Sequence, residues 1–218
     1  MPTTPRSGTN RKASYVSDKA FLNVPYDEKF EPLYLAFIAG LSGFGLIPRA
    51  VLEIPESQRR LDRIFSLIRG CRMSFHDLSR VQLDLKRPPT PRFNMPFELG
   101  LAVAWQWIAE PSHSWYVFEA NGRRAEKSLS DLKGTEIYAH GNRPRGVFRE
   151  LTDVLVNEPH QPTVRDLEAI YRGLRKYAVE IKEKLRRKSL FHARPFRDLV
   201  IRALAIARER IPSLRQSA

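Results

Sequence analysis

Apolar positions along this chain fall into short dense runs alternating with longer stretches in which they recur every three to four residues. Residues 19–24 (Lys-Ala-Phe-Leu-Asn-Val) form the first dense run, which reads as a strand ended by Pro25. Residues 26–29 make a turn. Phe30, Leu33, Phe37, Ile38 and Leu41 then lie at helical spacing and predict a helix over 28–41, closed by Gly43 and Gly45. Residues 46–52 read as a second strand, where Pro48 suits an edge or an irregular position. Ser57 caps a helix with Leu61, Ile64, Phe65 and Ile68 on its apolar face, and Gly70 ends it. Residues 71–75 give a third strand. Residues 81–91, rich in Pro and Lys, give a loop, and 94–109 a helix. In that helix Phe97, Leu101, Ala104, Trp105 and Ile108 form an apolar stripe that leaves Glu98 to one side. Strands over 114–118 and 135–139 and a helix over 145–155 follow.

Strand and helix alternating in this way predict a doubly wound α/β fold, a five-stranded parallel sheet with helices on both faces. Right-handed crossovers make the flavodoxin-like order 2-1-3-4-5 the leading topology. Pro159 and Pro162 mark a boundary. Beyond it a helix over 164–188 carries Leu167, Ile170, Leu174, Tyr177, Ile181 and Leu185 on one stripe. Arg194-Pro195 breaks the chain before a second amphipathic helix over 196–211. This C-terminal α-helical hairpin needs a surface for its stripe, either the sheet domain or another protomer. The expected organisation is a basic, disordered arm over 1–17, an α/β domain over 18–158 and the hairpin over 159–218.

With 42% hydrophobic residues in 218, the chain can build a sizeable core. No apolar run reaches membrane-spanning length, and the first ten residues lack a signal-like apolar region, so a cytoplasmic protein without membrane attachment is expected. A single cysteine, Cys71, excludes an internal disulfide and reads as an inert buried thiol. The five histidines show no metal-ligand spacing, so no metal and no cofactor is expected. The net charge of +13 favours anionic partners without saying which. The basic run over 182–188 reads as a solvated helix face, since it lacks the interleaved aromatics of single-strand binders.

Candidate chemistry gathers where parallel sheets place it, beyond the carboxyl ends of the strands near the switch between strands 1 and 3. Asn23 and Tyr26 follow strand 1. Asp77, Ser79 and Arg80 follow strand 3, next to His76. The loop into the next helix brings Arg92, Asn94 and Glu98. Asn94 is a good N-cap, and Pro96 fits a first turn. Glu98 would then sit at the positive end of the helix dipole and be held ionised, and Gly100 would leave room for a close neighbour. A carboxylate able to approach a sugar, with arginines for phosphate, suits cleavage of an N-glycosidic bond, whose oxocarbenium-like transition state an anion stabilises. Tyr26 offers a stacking surface or a packing lid. His76 could act as an acid and His140 could reach the site rim, but the first reading of both is a satisfied polar residue at a strand end; Trp105, Trp107 and Trp115 read as core or interface.

The strand-Asp-Leu-Ser run and the later Phe93-Asn94-Met95-Pro96-Phe97-Glu98-Leu99-Gly100 together resemble the superfamily that joins TIR domains with nucleoside deoxyribosyltransferase-like proteins. The resemblance covers residues 18–156. It implies that Glu98 is the catalytic residue and that Asp77 binds ribose, with NAD as substrate. It also implies a bacterial antiphage defence role as a toxic effector, switched on by a regulatory partner or by homo-oligomer formation. The first strand departs from the TIR pattern, with Asn23-Val24-Pro25-Tyr26 in place of a Ser-Tyr-type ending. Two other readings stand beside the N-glycosidase: a non-catalytic module for a nucleotide signal or partner protein, and a nucleic-acid binder drawn by the +13 charge.

Overall fold

The computed structural model describes residues 17–54, 59–80, 83–84, 90–91, 93–109, 113–122, 124–186 and 188–215, with the backbone alone described at 83–84, 90–91 and Arg124. Five strands form one parallel sheet: β1 (Lys19–Asn23), β2 (Ile47–Arg49), β3 (Met73–Asp77), β4 (Ser114–Glu119) and β5 (Ile137–Ala139). Their order is β2-β1-β3-β4-β5, the expected 2-1-3-4-5 arrangement. Pro48 does lie on an edge strand, where its missing N–H costs no ladder bond. After β2 the chain tightens into a 3₁₀ turn (Val51–Glu53) rather than extending to residue 52. Glu53 fixes that turn by accepting from the Ala50 N–H and from Arg49, both at 2.9 Å. Within the expected loop 81–91, Leu83–Asp84 and Thr90–Pro91 pair as a small antiparallel ribbon.

Helices α1 (Glu31–Gly43), α2 (Arg60–Arg69), α3 (Asn94–Ala109) and α4 (Arg124–Ser128) connect the strands, and α5 (Pro144–Val154) follows the last of them. Strand side chains alternate between faces. Ala20, Leu22, Met73 and Phe75 point into one core with α1 and α5, and Phe21 into another with Ile64, Ile68 and Ala102 of α2 and α3. The expected stripe of α3 is not the buried one. Phe97 is 53% exposed and Ile108 74%, while Met95, Glu98, Leu99 and Ala102 are buried. Because α3 is apolar on almost all sides, periodicity could not choose its inner face. Glu98 therefore belongs to the buried face.

The C-terminal hairpin, α6 (Val164–Leu185) and α7 (Ala193–Arg210) followed by α8 (Pro212–Arg215), lies on α1 and α5 as a third layer. Thr163 caps α6 in a reciprocal box with Asp166. Lys182, inside the expected solvated basic run, instead donates to Glu31 at the start of α1 at 2.6 Å. Among the described residues, no helix is long and apolar enough to cross a membrane.

Candidate active site

A cleft of about 940 Å³ opens at the carboxyl edge of the sheet, between the turn after β1 and the N-terminal ends of α2 and α3. Its walls include Asn23, Tyr26, Val51, Arg60, Phe93, Asn94 and Glu98. Four of the expected site residues, Asn23, Tyr26, Asn94 and Glu98, thus share one cavity. This is the place where open parallel sheets receive ligands.

Glu98 stands deeper in its helix than expected. The first helical bond runs from the Phe97 N–H to the Phe93 carbonyl, so Phe93 holds the capping position and Asn94 lies inside the helix. Glu98 is the fifth helical residue and only 7% exposed, and its Oε2 is buried without a hydrogen-bond partner. Desolvation then outweighs the helix dipole. Burial raises the carboxyl to about 7, with the Arg60 guanidinium pulling the other way. The expectation of a carboxylate held firmly ionised is corrected: near pH 7 both forms are present. Gly100 is exposed, and a Cβ there would meet nothing within 4 Å, so it marks no close approach.

Asn23 is 3% exposed, and its amide is spent on the scaffold. Nδ2 donates to the Met95 carbonyl at 2.9 Å and lies 3.0 Å from His76 Nδ1. Since an amide nitrogen only donates, His76 Nδ1 is the acceptor and its proton sits on Nε2, an enclosed atom with no partner. Burial pushes the His76 pKa down to about 3, so the ring stays neutral and does not serve as an acid near pH 7. Asn23 thereby pins the first turn of α3 to the end of β1. Tyr26 rests its ring against Tyr34 and Phe191, at centroid distances of 6.4 and 5.8 Å. Its hydroxyl is enclosed without a partner, and burial, then the charge of Glu98, raise its pKa.

Asp77 does not join them. Being next to His76 on β3, it faces the opposite side of the sheet. There it is fully buried: Oδ1 accepts from the Ser79 N–H at 2.9 Å, and Oδ2 lies 2.8 Å from His140 Nε2. The Asn142 N–H donates to His140 Nδ1, which fixes the proton on Nε2 facing Asp77. Ser79 Oγ is 3.3 Å from the same nitrogen. Asp77, Ser79 and His140 thus bind one another and tie β3 to the turn after β5. Arg80 pairs with Asp27 at 3.7 Å and does not line the cleft. Arg92 lies outside the described residues.

Arg60 is the cleft residue that sequence reasoning missed. It opens α2 directly after Arg59, which adopts a left-handed φ of 64°. Two arginines at a helix N-terminus oppose the dipole, and that unfavourable placement was the available signal. Cys71 behaves as expected, 3% exposed with its thiol pushed up to about 12 by burial. Comparison with known proteins adds no constraint: no family model, curated protein or solved structure matches this chain.

Proposed function

We propose that this cleft cleaves the N-glycosidic bond of a nucleotide, with Glu98 as the carboxylate that faces the anomeric carbon. The observation that supports the reading most is the buried Glu98 carboxyl, one oxygen of which has no partner inside a cleft of nucleotide size. A buried carboxylate lacking hydrogen bonds is costly, and a cationic centre arriving with the substrate relieves that cost. A pyridinium nucleotide brings such a charge, which is why NAD, the substrate implied by the TIR-like resemblance, is preferred here. In the reaction the C1′–N bond breaks and its electron pair leaves with the base, which becomes neutral without needing a proton. Positive charge develops at C1′ against the Glu98 carboxylate. Water then adds at C1′, and a carboxylate with a proton affinity near neutrality is suited to accept the proton it loses. A toxic effector role in defence, triggered by a partner or by self-association, belongs to the same proposal.

The test is chromatography of NAD incubated with concentrated protein, looking for free nicotinamide. Glu98→Gln keeps shape and loses charge, and is expected to lower turnover by about 10²-fold or more with substrate affinity little changed. Nucleotide binding without any base release would reassign the cleft to a signal-binding module.

A further inference from the structure

Building on that reading, we infer that Arg60 and the N-terminus of α2 form a phosphate subsite, so that the cleft takes 5′-phosphorylated nucleotides in preference to nucleosides. Arg60 lines the cleft and donates from one terminal nitrogen to the Ile54 carbonyl at 3.1 Å. That bond anchors the guanidinium and leaves its remaining N–H groups without a described acceptor; among the described residues no carboxylate forms an ion pair with it. The first N–H groups of α2 have no intrahelical acceptor, and Arg59, at the capping position, supplies no side-chain bond. A cation and a helix N-terminus on one wall make a place for an anion, which the Asp62 carboxylate in the same turn offsets only in part.

The start of α3, which lines the same cleft, gives the second, independent sign of a ligand. There Glu98, only 7% exposed, lines the same cavity, and its carboxyl keeps one enclosed oxygen without a hydrogen-bond partner. A carboxyl and a guanidinium lining one cleft match a ligand that carries a positive centre and a negative one. A nucleotide with a cationic base and a 5′-phosphate has that pattern, and a nucleoside has half of it. Guanidinium pairs with phosphate oxygens through two parallel hydrogen bonds, a geometry a point cation does not reproduce. Arg80, expected from its sequence position to grip phosphate, is engaged by Asp27 instead.

Adenosine 5′-diphosphate and adenosine serve as probes, each titrated calorimetrically at 0.15 M salt. Wild type is expected to bind the diphosphate at least about 10-fold more tightly, and Arg60→Gln to reduce that preference about 10- to 100-fold while adenosine affinity holds. Arg202→Gln, at an exposed position of α7 that lies over Tyr177 and does not line the cleft, removes the same charge and should leave the preference intact. Equal affinity of wild type for both probes overturns the inference. So does an undiminished preference in Arg60→Gln, or an equal loss in Arg202→Gln, which would assign the effect to the general +13 field. If the preference depends on Arg60 but NAD releases no base, the phosphate subsite stands and the glycosidase reading falls.

Discussion

Glu98 and His76 are buried titratable groups on the same face of the sheet domain, and their displaced proton affinities act on stability in opposite directions. Glu98 rises from 4.5 to about 7, so the folded chain holds a proton that the unfolded chain gives up. Stability from that group is complete below about 4.5 and is lost as pH rises towards 7. His76 falls from 6.5 to about 3, so its contribution is present above 6.5 and lost on acidification. The two slopes oppose each other at mildly acid pH. Substitution separates them: Glu98→Gln is expected to match wild type in thermal melting near pH 4.5 and to exceed it at pH 8, by on the order of 1–3 kcal/mol. An equal or lower melting temperature at pH 8 would mean that the carboxylate has a partner in the folded protein. The same titration should appear in activity. The plot of log kcat/KM against pH should rise to a plateau above about 7, and that of kcat should break lower, because a cationic substrate favours the carboxylate. At this scale the sequence shows Glu98 through its motif but not its environment. It also shows that the end of β3 carries polar chemistry. A one-residue alternation then decides that His76 faces the cleft side and Asp77 the other, and only the register of β3 against its neighbours sets it.

Helix α3 shows why an element can be legible in extent and illegible in orientation. Its bounds follow from the sequence, 94–109 in both readings. Its inner face does not, because Phe97, Trp105, Trp107 and Ile108 are as apolar as Met95, Leu99 and Ala102. What turns Glu98 inward is tertiary: the Asn23 amide holds the Met95 carbonyl, and Leu99 packs with Leu78 and Val117. Two substitutions test the orientation. Phe97→Gln should change stability by no more than about 0.5 kcal/mol, as for an exposed site. Gly100→Ala meets no atom and should stabilise α3 by up to about 1 kcal/mol, read as a higher melting temperature. A large loss in either would place those residues against something. Removing the clamp instead, with Asn23→Ala, should cost about 1–3 kcal/mol, since it leaves the buried His76 Nδ1 without its donor and takes from the Met95 carbonyl the bond that ties α3 to β1.

The whole molecule is held together by α1. Every residue of that helix from Leu33 to Gly43 is buried, a pattern that neither a sheet alone nor a single covering layer explains. The sheet covers one side, and α5, α6 and α7 cover the rest with Phe148, Leu167, Ile170, Leu174, Phe196 and Leu199. The fit at Gly43 is close enough that a Cβ would lie 2.3 Å from Leu167 Cδ2. The hairpin also reaches the cleft, since Phe191 in the α6–α7 connection supports the ring of Tyr26. The Pro159 boundary is visible in sequence, but a hairpin stripe says only that some surface must cover it; the all-round apolar character of α1 says which. At about 25 cal/mol per Å², uncovering such a face forfeits several kcal/mol, a large part of the stability of a domain this size. A chain ending at Pro159 is therefore expected to lack a cooperative thermal transition and to bind a hydrophobic dye or aggregate. Leu199→Ala in the full chain should destabilise it by about 2–5 kcal/mol while leaving it folded. If the shortened chain instead melts cooperatively as a soluble monomer, α1 has another cover and the hairpin is an accessory to the fold.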